Sequence, residues 1–315
     1  MIVIIGGATA SGKTKLGAEL AKSLNTSIIS ADSMQIYSGM DIGTAKVSDI
    51  ELGVKQYCVD IISPFNNFSI VNYRDEAECA IKEIESQGKI PIVVGGTGYY
   101  ISSLIYERKY GRPGDNSDEL RCSIKEELID EYNKNGIFKL WKELEQLDLK
   151  SALKIHPNNV KRVIRALEVI KTYGVKYSEQ DNDMQYKRDN FLFYVLTSNN
   201  RIERTIRIND RVDRMLEEGL YNEINELLSY GVEFNMQSMQ GIGYKEWQQY
   251  FENKSTWDKT IIQIKVDSKH YAKKQDTWFN NKYPYAKCID VELGYAYLFD
   301  TISDDIRINK ENGML

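Results

Sequence analysis

Gly7-Ala8-Thr9-Ala10-Ser11-Gly12-Lys13-Thr14 is the stretch whose residue types and spacing point most directly to chemistry. It fits G-x-x-x-x-G-K-[ST], follows the apolar run Ile2–Ile5, and precedes Leu16, Leu20 and Leu24 at every fourth position. Glycines let backbone amides turn inward onto phosphate oxygens, and a following helix adds the positive end of its dipole. Lys13 supplies a mobile positive charge, and the Thr14 hydroxyl is the expected ligand for Mg²⁺ held against the same oxygens. A chance glycine-rich turn would lack the flanking strand and helix. The loop specifies a polyphosphate without saying which. ATPases and kinases with this loop usually place an Asp after a later strand to help hold the metal. Here the matching strand, Ile92-Val93-Val94, runs into Gly95-Gly96-Thr97.

Other charged residues have two readings each. Arg204, Arg207, Arg211 and Arg214 recur at three and four residues, so they share one side of a helix, with Glu203, Asp210 and Asp213 turned elsewhere. That pattern describes a solvated helix with internal ion pairs as well as it describes an anion-facing one. Asp32, by itself, reads as a loop or helix-capping carboxylate. In Val160–Ile170 the apolar residues Val160, Val163, Ile164, Leu167 and Ile170 mark one helix face, opened by Pro157 and closed by Gly174, with Lys161, Arg162 and Arg165 opposite. An exposed basic face of this kind is common. Lys265, Lys269 and Lys273 repeat every four residues, with Lys274 beside them. Trp247, Trp257 and Trp278 show no stacking-platform spacing and are expected in the core.

The elements that must position these residues alternate strand and helix. After Ile2–Ile5, Ser27–Ala31 and Ile90–Val94 read as further buried strands, which implies a mostly parallel sheet covered by helices, with ligands at the carboxyl ends of its strands. Gly111 to Ser117 is the densest turn-forming segment. Beyond it the pattern is helical to about Gly174, and Asn190–Ser198 re-enters the sheet. The expected organisation is an α/β core at 1–115 and 188–315, of the P-loop type, interrupted by an all-helical insertion at 116–187. The last dozen residues are polar and expected to fray.

Composition agrees with a globular protein: of 315 residues 42% are hydrophobic and 28% charged, enough apolar surface for a core. A net charge of −5 gives no global basic field, so any nucleic-acid contact must use a local face. Cys58, Cys79, Cys122 and Cys288 stand far apart and only two histidines are present, which excludes zinc-finger spacing and leads to the expectation of reduced, buried thiols in a cytosolic protein. The opening apolar run is too short for a signal peptide or membrane span.

Four segments together resemble the tRNA dimethylallyltransferase (isopentenyl transferase) family of bacterial type: Gly7–Thr14, Ser30–Lys46 (SADSMQIYSGMDIGTAK), Val94–Ile101 (VGGTGYYI) and Tyr271–Phe279 (YAKKQDTWF). The resemblance implies transfer of a dimethylallyl group from dimethylallyl diphosphate to N6 of adenosine 37, beside the anticodon of a tRNA, with release of diphosphate. It implies Asp32 as the base that takes the amine proton, Thr97 near the bridging oxygen, and Lys13 with the rest of Gly7–Thr14 on the diphosphate. An arginine of the 204–214 helix joins them, Arg207 first and Arg211 second. For tRNA it implies Asp32, Ser33, Met34, Gln35 and Thr97 around a flipped adenine. On the anticodon stem-loop it implies Arg121, Lys161, Arg162, Val163, Ile164 and Arg165. Gln240, Gly241, Ile242, Gly243, Tyr244, Lys245 and Lys274 complete the implied tRNA contacts. A monomer is expected.

The sequence departs from the family pattern at Gln56-Tyr57-Cys58-Val59-Asp60, where many relatives carry a histidine pair, and at Lys274 and Asp276, where arginine and a hydrophobic residue are frequent. Two other reactions share the phosphate loop: a kinase acting on a nucleotide or small metabolite, with the insertion as its lid, and prenylation of free AMP. A phosphate- or RNA-binding module without turnover is the non-enzymatic alternative.

Overall fold

The computed structural model describes residues 1–107, 117–179, 185–186, 188 and 190–311. The expected turn residues Gly111 to Asn116 lie outside them. The chain divides into two compact units, residues 1–105 with 188–315, and residues 106–187.

The first unit opens with β1 (Ile2–Gly7), α1 (Lys13–Ser23), β2 (Ile28–Ser30), α2 (Asp49–Leu52), β3 (Gln56–Tyr57), α3 (Ile70–Ser86), β4 (Ile92–Gly95) and α4 (Gly98–Ile105). The second unit contains β5 (Tyr106–Glu107), α5 (Ser117–Asn135), α6 (Ile137–Leu147), α7 (Leu149–Lys154), α8 (Val160–Tyr173) and β6 (Gln185–Tyr186). The chain then returns through β7 (Phe191–Thr197), α9 (Arg201–Glu217), α10 (Leu220–Ser229), α11 (Trp247–Phe251), α12 (Trp257–Lys282), β8 (Lys287–Asp290) and α13 (Tyr295–Glu311).

Six strands form a sheet in the order β3-β2-β4-β1-β7-β8, parallel at every pairing. β1 is central and buried along its whole length, which explains its uninterrupted apolar run: a strand covered on both faces has no side to give to water. β4 and β7 flank it in register, Ile5 opposite Val94 and Tyr194, so the glycine-rich ends of β1 and β4 emerge side by side. Gly95 is required there because a Cβ would stand 2.1 Å from the Ala31 carbonyl oxygen.

In the second unit α5, α6 and α8 enclose Leu128, Leu140, Leu144, Val163 and Leu167. The unit also carries a two-residue antiparallel ladder, β5 against β6, too short to leave a periodic signature in sequence. α8 starts at Val160 with Asn159 as its cap, the side chain accepting from the Arg162 amide, so Pro157 lies ahead of the helix instead of opening it. The C-terminal segment differs from expectation in the same way. α13 continues to Glu311, anchored by buried Leu298, Ile302 and Ile306, and only 312–315 fall outside the described residues. Among the described residues no helix is long and apolar enough to cross a membrane.

Candidate active site

The phosphate loop links β1 to α1. Three left-handed residues, Gly7 (φ 144°), Ala10 (φ 60°) and Gly12 (φ 83°), curl the backbone, and Gly12 caps α1 without a side-chain hydrogen bond. The first amides of α1 therefore keep their donors for something outside the helix, which is the physical requirement for an anion site. Lys13 folds its ammonium back onto the Ala8 carbonyl and the Ser11 hydroxyl (3.3 Å). Burial, followed by repulsion from Arg211, pulls Lys13 down to about 8, while Asp32 and Asp276 pull the other way. Thr14, half-buried, sits in the first turn of α1.

Arg211 descends from α9 and donates to the Thr9 hydroxyl of the loop. Its guanidinium is held below its ordinary value by burial, and Asp32 opposes that effect. Arg207 is directed elsewhere: it donates to Ser198 Oγ at 2.9 Å and pairs with Glu203 at 3.5 Å. Of the two arginines, Arg211 is the one whose side chain contacts the phosphate loop. Helical spacing defines a face but not which turn of that face lies over the loop. Arg204 is taken up by Asp276 of α12.

Asp32 follows β2, and its carboxylate accepts from the Met34 amide at 2.9 Å. Thr97 follows β4 and its hydroxyl accepts from the Ser33 amide at 3.0 Å. The two strand-end loops are thereby tied to each other. Gln35 accepts from Ser30 Oγ at 2.9 Å, while Ile36, Tyr37 and Met40 bury themselves in the core and pin the segment. Tyr271 of α12 joins this group. Its ring is 38% exposed, yet its hydroxyl end turns onto Thr97 and Gln275, and burial pushes it up to about 12. Lys13, Arg211, Asp32 and Thr97 thus converge from the start of α1, from α9 and from the ends of β2 and β4 at the carboxyl edge of the sheet.

Gln275 is a site residue that the sequence reading missed. It is 6% exposed, accepts from the Thr9 amide at 2.8 Å and donates to the Gly96 carbonyl at 2.9 Å. A signal was available: it falls in a stripe with Ala272 and Phe279 that is otherwise apolar, and a polar residue on a buried helix face needs partners.

The segment Gln240–Lys245 divides by burial. Gly241, Gly243 and Tyr244 are buried, while Gln240 is exposed and Ile242 and Lys245 are half-buried. Tyr244 donates to Glu223 at 2.6 Å, and Glu223 also accepts from the Asp41, Ile42 and Gly43 amides at 2.7, 2.7 and 3.1 Å. Tyr244 is consequently a brace for the 41–43 turn, not a surface group. Gly241 lies against Met34, where a Cβ would meet Cε at 2.6 Å. Lys245 sits near Asp267 (3.5 Å) and Glu246 (3.6 Å).

In the second unit Val163 and Ile164 are 0% and 8% exposed, so their side chains belong to its core and cannot present themselves to a partner. Lys161, Arg162 and Arg165 are exposed. Glu168, 4% exposed, receives Arg121 at 2.8 Å and Arg165 at 2.6 Å, an acid on the apolar side of α8 that sets two guanidinium groups on the surface. The lysine series of α12 is broken at its start, because Lys265 pairs with Asp213 at 2.6 Å. Lys274 lines a cleft of about 550 Å³ with His270, Lys273 and Trp278. Trp278 is half-buried and Trp257 is 38% exposed, so of the three tryptophans expected in the core only Trp247, at 0%, is fully there. A second cleft, roughly 570 Å³ and lined by Asp41, Phe65, Glu226 and Tyr230, contains no residue of the phosphate loop.

Comparison with known proteins places this arrangement. The profile of the IPP transferase family matches residues 35–282, and that of isopentenyl transferase matches residues 1–60. The chain is 45% identical over 286 residues to a tRNA dimethylallyltransferase of Bacillus cytotoxicus, covering 89% of this chain and 87% of that protein. It is 43% identical over 292 residues to one from Clostridioides difficile, covering 92% of each. Among solved structures, a tRNA delta(2)-isopentenylpyrophosphate transferase of Staphylococcus epidermidis superposes with a TM-score of 0.70 at 38% identity, covering 98% of this chain and 99% of that one. A eukaryotic dimethylallyltransferase acting on tRNA gives 0.80 at 28% identity, covering 98% and 79%.

Proposed function

The chain belongs to the IPP transferase family, and from that premise we infer that it moves a dimethylallyl group from dimethylallyl diphosphate to N6 of the adenosine beside a tRNA anticodon. The observation that carries this reading is the convergence of Lys13 and Arg211 over an uncapped helix start, with Asp32 and Thr97 facing them. Two half-buried cations beside free amides suit a group that gains negative charge as it departs. The carbon–oxygen bond of the donor breaks and its electron pair stays on diphosphate. The adenine nitrogen supplies the pair for the new carbon–nitrogen bond, and its proton passes to the Asp32 carboxylate. The Thr97 hydroxyl is the group to donate to the bridging oxygen.

Mg²⁺ fits this site in a limited way. Thr14 is a hard oxygen donor at the helix start, and among the described residues no group of three or more His, Cys, Asp or Glu side chains could hold a metal. A magnesium ion would rest on Thr14 and on the diphosphate's own oxygens, and would supply charge neutralisation there.

For tRNA the exposed Lys161, Arg162 and Arg165, with Arg121 on the Glu168 anchor, are the proposed phosphate contacts of the second unit. Gln240, Lys245 and Lys274 are the proposed ones of the first. The segment Asp32–Gln35 is proposed to hold the flipped base, in the cytoplasm, where tRNA is modified.

The test is mass spectrometry of tRNA incubated with the protein and dimethylallyl diphosphate, with and without chelator. One added prenyl mass on an adenosine, acquired by tRNA in preference to AMP, is expected. Unmodified tRNA together with turnover of a nucleoside triphosphate would replace the reading with the kinase one, which the glycines after β4 disfavour.

A further inference from the structure

Gln275 joins two strand-end loops through one amide. Its Oε1 accepts from the Thr9 amide of the phosphate loop at 2.8 Å, and its Nε2 donates to the carbonyl of Gly96, the residue before Thr97, at 2.9 Å. The approach is tight, since a Cβ on Gly96 would stand 2.3 Å from Nε2, so the glycine there serves this contact. The next residue of α12, Asp276, pairs with Arg204 of α9, the helix that carries Arg211. The turn of α12 bearing Gln275 is therefore braced against the helix that reaches the same loop.

We propose that Gln275 is a positioning residue for prenyl transfer, its amide setting the gap between the loop that grips diphosphate and the Thr97 hydroxyl that addresses the bridging oxygen. The inference rests on the reaction proposed above. An amide suits the task because it accepts and donates in one plane. A carboxylate could keep the Thr9 bond but would face the Gly96 carbonyl with a second acceptor, and an ammonium could keep only the Gly96 bond. The gap matters because the loop fixes the diphosphate while the hydroxyl must meet one particular oxygen of it. A displacement near 1 Å costs about a hundredfold in rate in such arrangements.

The experiment is steady-state kinetics of Gln275→Leu and Gln275→Glu on tRNA and dimethylallyl diphosphate, well below the melting temperature of each variant. Inorganic diphosphate binding is measured by calorimetry alongside. Tyr283→Phe is the structural control: it removes another buried hydrogen bond from the end of α12, Tyr283 Oη to the Gly98 carbonyl at 2.8 Å, without touching the phosphate loop. Expected are kcat losses of about ten- to a hundredfold for both Gln275 variants, with tRNA KM and diphosphate affinity within about threefold of wild type. Tyr283→Phe should lower the melting temperature and keep kcat within about twofold. Gln275→Glu carries the test if the leucine variant does not fold. A folded Gln275 variant with kcat within twofold of wild type, or an equal loss in Tyr283→Phe, overturns the inference while the reaction stands. A wild-type chain that leaves tRNA unmodified overturns both.

Discussion

Replacing Glu246 by glutamine should stabilise the protein above pH 7 and change it little at pH 5. Glu246 is 7% exposed, accepts from the Gly243 amide at 2.8 Å, keeps its other oxygen buried, and has the Asp267 carboxylate as its acidic neighbour. Burial pushes it up from 4.5 to about 7, the Gly243 amide holding it down and Asp267 raising it. In the unfolded chain the carboxyl ionises near 4.5; in the fold it keeps its proton to about 7. Folding therefore takes up a proton between those values. The stability that this group contributes is fully present below 4.5 and is lost as pH rises through 7.

The shift corresponds to at most about 3 kcal/mol at alkaline pH, and sharing of the proton with Asp267 reduces the expected figure to about 1–2 kcal/mol. Asp267 itself does not confuse the window. Burial alone would raise it, but Glu246 and Lys245 bring it below 3.8, so its own titration falls under pH 4. Glutamine copies the protonated acid, accepting from Gly243 and leaving no second charge beside Asp267. Thermal or urea denaturation of both proteins at pH 5, 7 and 8.5 reads the effect, a gap that widens with pH to roughly 2–6 °C. A gap that is constant, or that narrows toward alkaline pH, would refute the reasoning.

Asp32→Asn should lower kcat by about 10²–10⁴-fold with tRNA and diphosphate binding largely kept, and single-turnover prenylation at normal speed would remove its proton-accepting role. Changing both Lys161 and Arg165 to alanine should raise tRNA KM and lower the slope of log affinity against log salt by about one to two; an unaltered slope would detach that face from the RNA. Gly43→Ala should destabilise the fold and slow tRNA turnover, because the new methyl would stand 2.4–2.5 Å from the Tyr244 ring that braces the turn. Wild-type melting behaviour in that variant would show that the turn yields more easily than its contacts suggest.

Much of the scaffold was legible because the relevant signals are local. Buried parallel strands are continuous apolar runs, and a phosphate loop between strand and helix is a short contiguous pattern, so Ile2–Thr14 needed no third dimension. Asp32 and Thr97 were legible only through longer motifs, since an isolated carboxylate or hydroxyl after a strand has ordinary uses. What stayed hidden depends on phase and distance. Arg207 and Arg211 lie on one helix face, and only packing decides which reaches Thr9. Val163 and Ile164 sit beside three exposed cations in sequence but point into the core, so a contiguous segment named as a contact surface mixes two faces of one helix. Tyr244 fills a space that Gly43 leaves open far earlier in the chain, a pairing that no window of sequence contains.

The short ladder between Tyr106–Glu107 and Gln185–Tyr186 has a topological effect out of proportion to its size. It fastens the entrance of a unit of about 80 residues to its exit, so the parent sheet experiences that long excursion as though it were a tight turn between α4 and β7. Entropy of closure, which otherwise grows with the number of residues enclosed, is absorbed by the excursion's own folding. Evolution can then lengthen, trim or remodel that appendage while the catalytic edge of the sheet keeps its register.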